Sequence, residues 1–167
     1  MSVIALILVS VSSPQSKDLL LYGDHTFEIN EIPMLGLWDY GDAEPAQGKK
    51  KPPTFDFAGF GNWAGYDATW LIRDSKLYLH KIRGERDGKR IRNEKILPDH
   101  DFPVVATWFS GRIHVAVGGF NHDTEKHESV IVFHVEKGIV QRTTFESSLE
   151  YTFEWNGMAS GRSASKQ

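Results

Sequence analysis

Between Tyr66 and Ile72 the chain alternates with a period of two: Tyr66, Ala68, Trp70 and Ile72 take one face, Asp67, Thr69 and Leu71 the other. That repeat is the mark of a half-buried strand, whereas an amphipathic helix needs apolar residues every three to four positions. No window of about 12 residues shows the helical repeat, so the core has to be built from strands. The two-residue pattern recurs along the chain between turn signals. Leu19 to Leu21 faces Thr26 to Ile29 across Gly23-Asp24, and Lys76 to Ile82 returns after Asp74-Ser75. Val104 to Phe109 and Ile113 to Val117 flank Ser110-Gly111, and Ser129 to Val135 and Ile139 to Phe145 flank Lys137-Gly138. Near the end, Leu149, Tyr151, Phe153 and Trp155 alternate with Glu150, Thr152 and Glu154. Only Arg92 to Leu97 offers a short helical turn. The fold class that follows is all-β, an antiparallel barrel or sandwich of about eight to ten strands built from serial hairpins, with little helix. Trp70 and Trp108 are expected in its core.

The 167 residues suit one domain, read as 1–156, followed by a flexible Ser/Gly-rich tail over 157–167. A chain of this length buries roughly 70% of its unfolded surface and needs no disulfide or metal to hold a core. It has no cysteine, which excludes disulfides, thiolate metal sites and cysteine nucleophiles. The stretch 42–53 holds three of the seven prolines and a lysine triplet, so it reads as a long mobile loop. The apolar run Val3 to Val9 is shorter than the roughly 20 residues that span a bilayer, and no Lys or Arg precedes it. It reads as a buried strand rather than a targeting segment, which points to the cytoplasm and to no membrane partner. Two triplets, Ala68-Thr69-Trp70 and Ala106-Thr107-Trp108, each precede a turn and a strand bearing a histidine. Two matched triplets are short of a repeat array, and chance or a shared packing role explains them as well as a duplication does.

Residues with reactive chemistry are scattered. His122 and His127 bracket Asp123 and Glu125, but a five-residue gap suits a ligand pair neither on a helix nor on a strand. A solvated loop is the plainer reading there, and for His100 as well. His80, His114 and His134 lie on strands, and their convergence at a barrel mouth would make a metal or acid–base site. Strand histidines more often bond singly, so no metal and no cofactor is expected. No Gly-x-Ser-x-Gly elbow and no His-Glu-x-x-His pair occurs, so no catalytic residue is nominated and the reading leans away from an enzyme. The Gly-aromatic stretch from Phe57 to Tyr66 is followed by a strand, unlike phosphate-binding loops, which lead into a helix. Its Phe60, Asn62 and Trp63 are the first candidates for contact with a partner protein, and Tyr151 and Trp155 on the last alternating strand are the second. Between Lys81 and Lys95 seven basic residues face three acidic ones. Arg83, Arg86, Lys89, Arg90 and Arg92 would carry a nucleic-acid face, although a solvated hairpin tip has the same composition. The overall charge of −3 implies neither nucleic acid nor an anionic membrane.

The run from Gly65 to Leu79, GYDATWLIRDSKLYL, followed by Ala106-Thr107-Trp108-Phe109-Ser110-Gly111-Arg112-Ile113, resembles a group of uncharacterised bacterial β-rich proteins. In that group a GY-x-A-x-W-x-I-x-D-x-x-L-Y-L strand pair precedes an A-x-W-[FY]-S-G hairpin. The likeness covers the middle third of the chain, Gly65 to Gly118. It implies a shared hairpin framework and an association with bacterial conflict systems, as an immunity or inhibitor protein or an accessory subunit of a defence complex. Two alternatives stand beside it: a small-molecule-binding barrel or hydrolase with its site at the barrel mouth, and a nucleic-acid-binding subunit.

Overall fold

Three hairpins are set by two-residue turns whose central residues are both left-handed: Asp74-Ser75, Asp87-Gly88 and Lys137-Gly138, with φ between 46° and 77°. Such turns match the twist of paired strands and fix their register. A computed structural model of the chain describes residues 17–41, 43–56, 62, 64–123 and 126–147. The strand readings at Val3 to Val9 and Leu149 to Trp155, and the 157–167 tail, lie outside these residues.

The described residues form nine strands of one sheet: β1 (Asp18–Tyr22), β2 (His25–Ile29), β3 (Tyr66–Arg73), β4 (Lys76–Arg86), β5 (Lys89–Arg92), β6 (Val104–Val105), β7 (Gly111–Asn121), β8 (Lys126–Glu136) and β9 (Ile139–Ser147). Helical structure among them is limited to two 3₁₀ turns, Pro33–Gly36 and Asn93–Lys95. The all-β expectation is met, and the spatial order β2-β1-β3-β4-β9-β8-β7 makes a nearly closed barrel. One pair departs from the antiparallel rule: β1 runs parallel to β3, with Leu20 opposite Trp70. The long connection from Ile29 to Tyr66 gives the chain room for that crossover.

The hairpin expected from Val104 to Val117 does not form. Strand β6 pairs with Tyr78 and Leu79 of β4, and β7 pairs with β8. Residues Ala106 to Ser110 are held instead by tertiary hydrogen bonds. The Ala106 amide donates to Leu77, the Gly138 amide to Phe109, and the Lys137 amide to the Ser110 hydroxyl. Trp108 therefore sits in a turn, half-buried against the core, and not on a strand. The two Ala-Thr-Trp triplets share no geometry, because Trp70 is a strand residue and fully buried.

Inside the barrel, Leu20, Trp70, Ile72, Leu77, Leu79, Ile113, Val115, Ile131 and Phe133 form one cluster. Each such side chain contributes about 1.5–3 kcal/mol by burial. Two bulges keep the apolar residues inward. His80 is an extra residue on β4, since Thr69 faces Lys81 while Trp70 faces Leu79. Strict alternation past Leu79, with no bulge, would point Lys81 into the core and Ile82 out. Gln141 is the corresponding extra residue on β9.

Over the Tyr66 end of β3, Trp38, Tyr40, Phe55 and Tyr66 make a ring cluster, with Trp38 edge-on to Tyr66 at 5.2 Å. The Asp39 amide donates to the Lys50 carbonyl and the Lys50 amide to the Leu37 carbonyl, tying the neck of the 42–53 loop. Phe55 lies against two glycines. A Cβ on Gly84 would stand 2.5 Å from the Phe55 ring and 2.9 Å from the Gly65 carbonyl oxygen. Gly84→Ala is therefore expected to destabilise the fold by about 1–3 kcal/mol, the usual range for overpacking. In a Phe55→Ala background the share set by the ring should disappear in urea unfolding, while the share set by the Gly65 carbonyl should remain. An unchanged loss would mean the ring is not the obstacle.

Candidate functional site

One margin of the barrel is left open by the way β4 is occupied. Its outer edge is shared by β9 at Lys76, by β6 at Tyr78 and Leu79, and by β5 from Arg83 to Arg86. Beyond Ile139, β9 has β8 on one side and, among the described residues, no strand on the other. From Gln141 to Ser147 that is an edge about 23 Å long at roughly 3.3 Å per residue.

The bulge decides what this edge displays. Val135 faces Val140 but His134 faces Arg142, so Gln141 is the extra residue. Thr143 and Phe145 are thereby turned to the core side, and Arg142, Thr144 and Glu146 to the outside. Across the sheet Val115, Ile131 and Phe145 share one inner row. Their exposure rises from 0% through 9% to 76%, so the apolar layer runs out into solvent at β9. Unpaired strand edges next to exposed apolar rings are places where another chain adds a strand.

The outward face of β7, β8 and β9 carries polar chemistry. Arg112, His134 and Arg142 form one lateral row, and His114, Val132 and Thr144 the next. His134 Nε2 lies 3.3 Å from Arg142 Nη2 and 3.3 Å from Thr144 Oγ1, which donates to Glu146 Oε1 at 3.2 Å. Desolvation, followed by Arg142 and Arg112, holds the His134 imidazole below its ordinary value, while Glu146 acts in the opposite direction. At the other margin Glu31, just past β2, joins β7. Its Oε1 accepts from the His114 amide at 3.2 Å and meets His114 Nδ1 at 2.6 Å.

A third polar spot lies inside. The Asp18 carboxylate accepts from Trp70 Nε1 at 2.9 Å and from the Ala68 amide at 3.1 Å, continuing the β1–β3 ladder by one residue. Burial pushes its carboxyl up to about 6 against these two bonds, with Asp67 adding to the rise. Burial likewise raises Tyr40 to about 12 and Tyr66 well above the ordinary phenol value.

The structure redistributes the residues nominated from sequence. Phe60, Trp63, Tyr151 and Trp155 lie outside the described residues. Asn62 is half-buried, and its side chain is engaged in a turn: Nδ2 donates to the Tyr66 carbonyl and to Asp67, and Oδ1 accepts from the Gly65 amide. The basic set divides across the two faces of the β4–β5 hairpin. Arg83, Arg90 and Arg92 share a face with Glu85, and Arg86 and Lys89 lie on the other. All five are exposed, and Arg83 is paired with Asp67 at 3.1 Å. Asp56 holds the hairpin tip by accepting from the Asp87 and Gly88 amides.

The strand histidines do not converge. His80 sits exposed on its bulge in β4, while His114 and His134 share the outward face of β7 and β8. Among the described residues no group of three or more His, Asp or Glu side chains is arranged to hold a metal ion. None of their helices is long and apolar enough to cross a membrane. No family model, no curated protein and no solved structure matches the chain.

The residues that sequence reasoning missed are Phe145, Arg112, His134 and Arg142 as a group. Phe145 was legible only as the last residue of a return strand. Its orientation depends on the Gln141 bulge, for which the sequence carries no turn residue.

Proposed function

We propose that the protein is a non-catalytic binder of another protein, and that the partner adds an extended strand to the open edge of β9. The observation carrying this reading is Phe145, 76% exposed on the inner row beside an edge without a strand neighbour among the described residues. A partner strand would pair the backbone groups of the edge that have no ladder partner among the described residues, and an apolar side chain on it would cover the ring. The resemblance of the Gly65 to Gly118 hairpins to bacterial proteins of conflict systems supports an immunity or inhibitor protein, or a subunit of a defence complex, working in the bacterial cytoplasm.

The test couples capture to mapping. A protein captured from a host lysate should slow amide exchange in β9 between Gln141 and Ser147 when it is added back pure. Phe145→Arg should weaken that complex by at least about 30-fold, as loss of an interface anchor does. Because the side chain is exposed, the same substitution should change stability by no more than about 0.5 kcal/mol. Protection elsewhere with β9 unprotected, or full affinity in the variant, would remove this reading.

A further inference from the structure

We infer that the row Arg112–His134–Arg142, on the outward face of β7, β8 and β9, is a recognition site for an oxyanion, a phosphate or carboxylate group. Arg142 belongs to the strand whose edge is read as open, but its side chain lies on the outward face and Phe145 on the inner one, so the inference does not depend on that reading.

Register places the three basic side chains side by side on adjacent strands, about 4.8 Å apart. Arg112 and Arg142 flank His134 from the two neighbouring strands, so a proton on the imidazole would set like charges directly opposite one another, which opposes folding. Among the described residues neither Arg112 nor Arg142 has a carboxylate within ion-pair distance, although exposed pairs occur elsewhere, as at Arg83 and Asp67. Both guanidinium groups are thus without a carboxylate partner among the described residues, as are Arg86 and Arg90 on the β4–β5 hairpin; what sets Arg112 and Arg142 apart is that they flank one imidazole in a single row.

The hydrogen bonds around His134 Nε2 sharpen the point. A guanidinium only donates, so the 3.3 Å contact with Arg142 Nη2 is a hydrogen bond only for a neutral imidazole whose Nε2 accepts. Thr144 spends its one proton on Glu146, so it has none for His134. Once His134 is protonated, Nε2–H donates to Thr144 Oγ1, and the Arg142 guanidinium then faces a like charge and a donor. Arg112 and His114 on β7 and Arg142 on β9 oppose that protonation, and Glu146 on β9 favours it. An oxyanion lying over the row resolves the conflict. It accepts from both guanidinium groups, each able to present two parallel N–H bonds, and its charge stabilises the imidazolium between them. Occupancy and protonation of His134 are therefore linked, each favouring the other.

The experiment follows the His134 imidazole by NMR in the isotope-labelled full-length chain. One arm titrates sodium phosphate and another sodium glutarate, each against sodium chloride of matched ionic strength. Saturable movement of the His134 resonances with an oxyanion, and a higher titration midpoint for that ring alone, is the expected result. Saturation with phosphate only assigns the site to phosphate groups. Saturation with both, or with glutarate only, assigns it to carboxylates as ligands in their own right. Arg112→Gln and Arg142→Gln should each weaken binding about tenfold, the usual loss for one charge-assisted contact. Both arginines are exposed, so the variants should keep the wild-type unfolding midpoint. Shifts no larger than those in chloride, shifts shared equally by His80, or shifts that persist in the double arginine variant would overturn the inference.

Discussion

Trp70→Ala is expected to lower the unfolding free energy by about 3–5 kcal/mol, the range for emptying a large buried aromatic site. Trp70 is 0% exposed on the middle of β3, with Leu20 on one neighbouring strand and Leu79 on the other. Its removal opens a cavity where β3 meets β1, its parallel neighbour. It also deprives Asp18 Oδ2 of the 2.9 Å bond from the indole nitrogen. Domains of this size hold about 5–15 kcal/mol in all, so the alanine variant can fall below measurable stability. Trp70→Phe separates the two effects. It keeps most of the ring and loses the donor, so its expected loss is about 1–3 kcal/mol, the penalty for one unsatisfied buried polar group. Urea unfolding of both variants is the measurement. A loss under 1 kcal/mol in Trp70→Ala would show that the core is not centred on this residue.

Much of the barrel was legible from short-range signals. Asp74-Ser75 and Lys137-Gly138 lie between runs of period two, and each closes the hairpin expected of it. Trp70 followed in the same way from its place on an alternating strand. Legibility ended where distant segments compete for one partner. Ser110-Gly111 has the residues of a tight turn, but Ser110 and Phe109 bind the β8–β9 turn, and β6 is taken up by β4. The parallel β1–β3 pair has no local signature either, since its two members are brought together across the whole Ile29 to Tyr66 connection.

The bulges were the larger loss for function. Counting back from Lys137-Gly138 without one puts Gln141 opposite His134 and sends Arg142 to the inner side. The structure has Arg142 opposite His134 and Phe145 inside. One extra residue thus creates both the basic row and the exposed inner ring, and it leaves no mark in composition or periodicity. The aromatic loop drew attention from sequence because its residues are unusual. Phe145 and Arg142 are ordinary residues whose importance comes from register.

A buried carboxylate makes the second large effect one of pH. Asp18 titrates at about 6 in the folded chain, against 3.8 for the ordinary side chain, because burial outweighs the bonds from Trp70 and Ala68. Between those values the native state holds a proton that the unfolded chain has released, so stability falls as pH rises. The contribution is fully present below about pH 4 and is lost as pH passes about 6. A gap of about two pH units corresponds to about 3 kcal/mol. Asp39 acts in the opposite direction and at lower pH, since the Ala46 and Gly41 amides hold its carboxyl below the ordinary value. Asp18→Asn takes away the titrating group and keeps one acceptor for the two N–H donors. The wild type should lose stability between pH 4 and pH 6.5 in urea titrations, and the asparagine variant should show that slope flattened across the same window. Equal slopes in the two proteins would mean that Asp18 is solvated when ionised, and that the end of the barrel at β1 and β3 is open to water.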